Sequence, residues 1–167
     1  MIEIREERPT DVEAIRDVNT RAFGQEQEGD IVDALRRNGA VLLSLVATLS
    51  DRVVGHIMYS PVSVGSEIMG AALGPMAVLP EHQRRGVGSK LVEAGHRRVK
   101  DQGWPFIIVL GHSSYYPRFG FMPATNRGIT CEWDVPEDVF MLLVLDQANM
   151  QGVSGLAKCR HEFSSVS

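Results

Sequence analysis

Two stretches of this chain carry residue types and spacings suited to chemistry. The first is Gln83-Arg84-Arg85-Gly86-Val87-Gly88-Ser89-Lys90. It lies between an apolar run, Ala71 to Leu79, and a helix-like segment, Leu91 to Gln102. Gly86 and Gly88 let the backbone turn tightly and bring its N–H groups close to a ligand. The helix that follows turns unpaired N–H groups and its positive dipole end toward the same point. A phosphate or pyrophosphate suits such a cradle; a solvated basic turn ahead of a helix is the plainer alternative. No Gly-Lys-Ser/Thr ends the loop, which excludes a P-loop, and the three-glycine spacing of a dinucleotide fingerprint is missing.

The second stretch is His112-Ser113-Ser114-Tyr115-Tyr116-Pro117-Arg118-Phe119-Gly120-Phe121, directly after the apolar run Phe106 to Leu110. By residue type alone, Tyr116, Phe119 and Phe121 read as core aromatics. Their position at the carboxyl end of a buried strand, where an α/β ligand site forms, also sets the tyrosine pair where a ligand should lie. Cys131 and Cys159 form no Cys-x-x-Cys pair, so neither a zinc site nor a disulfide scaffold is expected. Neither Cys131 nor the serines Ser113 and Ser114 have the histidine-plus-carboxylate set that activates a nucleophile. Glu26, Glu28 and Asp30 form an acidic group that reads either as a solvated face or as a lure for a cation.

The elements that must hold these residues follow from periodicity. Ile2-Glu3-Ile4-Arg5 alternates like an edge strand. Thr10 and Glu13 have capping-box spacing ahead of Val12, Ile15, Val18, Ala22 and Phe23, which predicts a helix ending at Gly24. A shorter helix is predicted from about Gly29 to Asn38, closing on Gly39. Val41 to Leu49 and Val53 to Val64 read as a hairpin through Ser50-Asp51-Arg52. Gly65-Ser66-Glu67 then turns the chain into a strand from about Ile68 to Val78. Within it, Pro75 donates nothing to a ladder, so a bulge or a break in pairing is expected. Helix 86–102 and the buried strand Phe106 to Leu110 complete a right-handed βαβ unit whose ligand site lies beyond the strands' carboxyl ends. A helical turn at Ser113 to Arg118 and strands near 129–133 and 139–145 follow. Asp146 to Ser167 reads as a last strand with a frayed Ser-rich end from about residue 162.

At 167 residues, the chain is expected to form one domain spanning 1–167. A net charge of −4 argues against nonspecific nucleic-acid binding, and the positive charge is local, at Arg84, Arg85 and Lys90, then Arg97, Arg98 and Lys100. No leader or membrane-spanning run is evident, so a cytoplasmic protein without a membrane partner is expected.

Taken together, these motifs resemble the GNAT superfamily of acyl-CoA-dependent N-acyltransferases. Ala77-Val78-Leu79-Pro80-Glu81-His82-Gln83-Arg84-Arg85-Gly86-Val87-Gly88 is similar to its Val-x-Pro-x-x-Gln/Arg-x-x-Gly-x-Gly/Ala stretch. Tyr116-Pro117-Arg118-Phe119-Gly120-Phe121 is similar to its Tyr-x-x-x-Gly-Phe ending. The wording of both looks most like the YhbS-like branch. The resemblance implies an α/β fold with a mixed, mostly antiparallel twisted sheet flanked by helices, around a central βαβ unit that binds acyl-CoA. It also implies acetyl-CoA or coenzyme A as co-substrate, no metal, and N-acetyl transfer to a primary amine by direct attack in a ternary complex. By resemblance, Arg84, Arg85, Gly86, Val87, Gly88 and Ser89 would hold the pyrophosphate. The backbone at Met76 and Val78 would pair with the pantetheine arm, and N–H groups near Met76 would stabilise the oxyanion. Tyr116 would protonate the departing thiolate, with Tyr115 the neighbouring competitor.

The chain also departs from the pattern. Many members carry a glutamate as general base where this sequence has Ala72. Deprotonating a lysine-like amine at pH 7 costs roughly 4.6 kcal/mol, against roughly 1.4 kcal/mol for an α-amine. A low-pKa acceptor, or a water relay to His56, His112 or Glu67, would meet that need. The asparagine that often contacts pantetheine has no counterpart either. Acceptor candidates are a small metabolite, a peptide or protein amine, an aminoglycoside-like antibiotic or an aminoacyl conjugate, held between Arg21 to Asp30 and the region of Trp133 and Phe140. Two alternatives stand beside this reading: a CoA-binding regulatory module without turnover, and an enzyme for a longer acyl-CoA. An unpaired terminal strand would offer an edge for a homodimer.

Overall fold

The computed structural model describes residues 1–65 and 68–164. Nine strands form one mixed sheet: β1 (Ile2–Glu6), β2 (Leu43–Leu49), β3 (Arg52–Val64), β4 (Ile68–Val78), β5 (Phe106–Leu110), β6 (Met122–Pro123), β7 (Ile129–Cys131), β8 (Phe140–Val144) and β9 (Gly155–Lys158). The main order is β1-β2-β3-β4-β5-β8-β6, antiparallel except between β4 and β5. Helices α1 (Val12–Phe23), α2 (Gln27–Arg37), α3 (Val87–Asp101) and α4 (Gln147–Met150) flank it. This is the mixed α/β architecture expected from the sequence.

Strand alternation assigns the two faces. On one face Leu45, Ala47, Ile57, Tyr59, Ala71 and Leu73 pack with Leu91, Val92 and Val99 of α3. On the other, Val46 and Met58 receive Ile15 of α1 and Ile31, Val32 and Leu35 of α2. Further along that face Val62, Ala72, Ile108, Phe140 and Leu142 form a third cluster. Each fully buried aliphatic side chain contributes about 1.5–3 kcal/mol. Gly95 lets α3 lie against Tyr59, whose ring occupies the place a Cβ would take. Ser50 and Asp51, with φ of 50° and 64°, make the tight β2–β3 turn, whose left-handed residues match the strand twist.

Several elements differ from expectation. Pro9–Asp11 is a 3-10 turn, and the Thr10–Glu13 capping box does not form. Asp11 closes the turn instead: its carboxylate accepts from the Arg8 N–H at 2.7 Å and holds Arg5 through two bonds. A charged acceptor paired to a guanidinium outcompetes a hydroxyl. The second helix begins earlier, at Gln27, and α4 and β6 are additional elements. The expected turn at Ser66 and Glu67 lies outside the described residues, as does Glu67 as a relay. At the C-terminus, β9 pairs with both β3 and β7, so it presents no free edge. The 3-10 turn His161–Phe163 follows, with Glu162 buried and bonded to Arg160 and Asn38; residues 165–167 lie outside the described residues.

Candidate active site

The β4–β5 pairing covers only Ala71, Ala72 and Leu73. Beyond Leu73 the two strands part. Opposite this point the β3–β4 register slips between Ile57 and Tyr59, so the bulge expected at Gly74-Pro75 is present. The Leu79 N–H donates to the Val54 carbonyl, and Ala77 stands opposite His56. Alternation therefore directs the backbone groups of Met76 and Val78 away from β3, into the opening. Gln83 Nε2 donates to the Val78 carbonyl at 2.9 Å and ties the following loop to the strand.

A cleft of about 1190 Å³ runs through this opening. On the α3 side its wall includes Met76, Arg84, Gly88, Ser89, Tyr115 and Tyr116. On the α1–α2 side it includes Glu28, Ile31, Trp133, Phe140, Cys159 and Phe163. Leu73 and Val109 belong to the core of the first face, whereas Ala72 and Ile108 belong to that of the second. All four line the cleft, so it crosses the sheet rather than lying on one side of it.

The cradle forms at one end. Arg84 and Gly86 both adopt left-handed backbone, at φ 64° and 83°, on either side of Arg85. That alternation turns successive N–H groups to one side, as in an anion nest, and α3 begins at once with Val87. Gly88 faces the cleft so closely that an added Cβ would stand 3.1 Å from Tyr115 Oη and 3.3 Å from Met76 Cε. The Val87 side chain is buried in the core, leaving only its backbone for a ligand. Arg85 is exposed, and its side chain is not part of the cleft wall.

The tyrosines part company. Tyr116 is buried in the first core and still lines the cleft. Burial, and then the neighbouring Tyr115, push its hydroxyl pKa above the usual range, so it holds its proton at any physiological pH. Gly111 makes room for its ring, which fills the position a Cβ would need. Tyr115 Oη lies 3.5 Å from Ser89 Oγ at the start of α3, and its ring is covered by the Arg118 guanidinium at 4.6 Å. Tyr116 therefore stands nearer the core of the sheet and Tyr115 nearer the cradle.

Of the proposed relays, His112 is exposed and lines the cleft. His56 does not line it. It is fully buried, with Nε2 3.0 Å from Ser44 Oγ and Nδ1 3.1 Å from Asn19 Nδ2. Ser44 donates to Glu7, which is paired with Arg36 at 2.8 Å. Ser44 has one proton and gives it to Glu7, so Oγ accepts from Nε2–H and His56 is neutral with a bare Nδ1. Burial lowers its pKa to about 4. His56 is thus a structural link between strands and helices, not a relay. The thiols are equally unsuited to attack: burial raises that of Cys131, and that of Cys159 to about 12.

Sequence reasoning missed the C-terminal wall of Cys159 and Phe163 and the singling out of Glu28 from its acidic neighbours. No group of three or more metal-ligating side chains occurs among the described residues. Among these residues no helix is long and apolar enough to cross a membrane.

Residues 3–124 match the family model described as an acetyltransferase (GNAT) domain. The chain is 37% identical to the Escherichia coli N-acetyltransferase YjhQ over 135 residues, covering 77% of this chain and 75% of that protein. It is 31% identical to Escherichia coli YhbS over 163 residues, 96% of this chain and 98% of YhbS. The crystal structure of YhbS in complex with CoA superposes with a TM-score of 0.94, covering 98% of this chain and 92% of that one. A Brucella melitensis GNAT acetyltransferase in complex with acetyl-CoA gives 0.82 at 35% identity, covering 98% of both chains.

Proposed function

Because this chain belongs to the GNAT acetyltransferase family and is an acyltransferase, we propose that it moves an acetyl group from acetyl-CoA to a primary amine within a ternary complex. One observation carries this reading: beyond Leu73 the strands β4 and β5 part, leaving the Met76 and Val78 backbone groups directed into a cleft that ends at the Arg84–Ser89 cradle. An extended amide-bearing arm fits the first part, adding a short pseudo-strand, and a pyrophosphate fits the second. Arg84 supplies charge at the mouth and Ser89 a hydroxyl.

The acceptor nitrogen attacks the thioester carbonyl carbon. The carbonyl oxygen gathers negative charge beside the Met76 backbone, where an N–H donor is worth most in a dry site. As the C–S bond breaks, Tyr116 gives its phenolic proton to the departing thiolate sulfur, and the amine's surplus proton, carried by water, restores the phenol. A thiol of pKa near 8.5 is a fair leaving group, so this proton donation is worth about 100-fold or less. Ala72 offers no base on β4, so the acceptor's ammonium passes its proton to water before the neutral nitrogen attacks.

Calorimetric titration with acetyl-CoA, longer acyl-CoAs and desulfo-CoA, followed by thiol release with an amine panel, tests the reading. Micromolar binding of acetyl-CoA and amine-dependent thiol release are expected. Absence of binding would remove the acetyl-CoA assignment, and tighter binding of a longer chain would move it to another acyl donor.

A further inference from the structure

Resting on that reading, we propose that Glu28 selects the acceptor: a monocationic primary amine on an apolar, ring-sized body, rather than a polycationic aminosugar. Among the described residues it is the only carboxylate that lines the cleft. Its acidic neighbours are already committed to guanidinium groups. Asp30 pairs with Arg16 at 2.7 Å, Glu26 approaches Arg16 at 3.9 Å, and Asp33 is shared by Arg16 and Arg36. Glu28 is held differently. The side-chain amide of Gln25 donates to both of its oxygens, at 3.1 and 3.2 Å, which orients the carboxylate without cancelling its charge.

The surroundings define what such a charge would receive. Ile31, one turn further along α2, lines the same cleft, and Phe163 packs against the cluster that contains it. Phe163 also stands 4.0 Å from the place of a Cβ on Gly74, where the strands part. Trp133, Val135 and Phe140 complete an apolar wall on this side of the sheet. The cations of the cleft, Arg84 and Arg118, belong to the loops on the α3 side. Charge is therefore segregated, positive toward the donor and a single negative charge toward the acceptor. One carboxylate among aromatic and aliphatic walls neutralises one ammonium group; several ammonium groups on a hydroxylated sugar would bury unpaired charge.

The test uses the full chain and its Glu28→Gln variant, with phenethylamine, aniline and kanamycin as probes. At pH 7.5 the first is an ammonium ion and the second a neutral amine of similar body. The wild type should favour phenethylamine over kanamycin in kcat/KM. In E28Q the preference for phenethylamine over aniline, read in KM, should fall about ten-fold, the worth of one charge-assisted contact to the bound ammonium. Calorimetry of phenethylamine on the CoA-bound protein should show the same loss of affinity. An unchanged preference, a kanamycin preference in the wild type, or no phenethylamine binding by the CoA-bound wild type would overturn the proposal. Failure to bind acetyl-CoA at all would instead overturn the acetyltransfer reading itself.

Discussion

Lowering the pH from 7.5 to 5 should destabilise this protein through a histidine that takes no part in its chemistry. His56 is neutral in the folded chain, with a pKa lowered to about 4 by burial and by Arg36, against the pull of Glu7. Once unfolded it titrates at an ordinary value near 6.5. Between these two values the unfolded chain binds a proton that the folded chain refuses. Its stabilising contribution is therefore complete above pH 6.5 and is lost as the pH falls toward 4. Integrating from pH 7.5 to 5 gives roughly 2 kcal/mol. With a urea m-value of about 2 kcal/mol per molar, this histidine alone should lower the unfolding midpoint by about 1 M, and by about 2 M together with His96, which is lowered alike. The lowered carboxylates of Glu7, Asp11 and Glu162 lose their contributions only further into acid, so this window isolates histidine. His96, packed edge-on against Phe119 and Phe121, is also lowered to about 4 and acts with the same sign. The His56→Gln variant should therefore lose about half of the pH response, whatever its baseline stability. Should that variant fail to fold, the His56 ring resonances of the wild type give the same answer by remaining those of a neutral imidazole down to pH 5. Equal midpoints at pH 7.5 and 5, or a His56 that titrates near 6.5, would refute the reasoning.

Three further outcomes are expected at the cleft. Tyr116→Phe should lower kcat by up to about 100-fold while leaving acetyl-CoA affinity in calorimetry nearly unchanged; a Tyr115→Phe variant that loses more would transfer the acid role to Tyr115. Gly111→Ala, whose new methyl would overlap the Tyr116 ring, should lower kcat without weakening acetyl-CoA binding at the cradle; wild-type turnover would show that the ring's position is unimportant. Gly86→Val places a branched side chain at φ 83°, which costs at least about 1–2 kcal/mol locally, and should weaken acetyl-CoA binding about ten-fold or more. Unchanged affinity there would remove the cradle from the binding site.

The central unit was legible because its signals are local. The β4 strand, the two-glycine loop, α3 and β5 follow one another in sequence, each with its own period or turn residue, and Pro75 announced the bulge. Burial was harder to read. Nothing around His56 reveals that Asn19 of α1 and Ser44 of β2 converge on it, with Glu7 behind Ser44, so a structural histidine also stood as a candidate relay. Glu28 could not be told from Glu26 and Asp30 because Arg16, which engages both of those, lies a helix away. The C-terminal wall was illegible for the same reason: β9 is fixed by pairing with the far end of β3 and, in parallel, with β7. Thr10 misled because capping spacing counts atoms within reach, not which acceptor prevails.

A cleft that pierces the sheet gives the molecule two doors. On the proposed reading the donor would enter over the face carrying α3 and the acceptor over the face carrying α1 and α2, so neither would have to leave before the other arrives. Binding order would then be free. Acetylated product and spent coenzyme would depart in opposite directions, and each should compete only with the substrate that shares its door. Product-inhibition kinetics would display that as two separate competitive pairs. A single molecule that threads the opening, with an adenylate at one end and an apolar ammonium at the other, would block both doors at once.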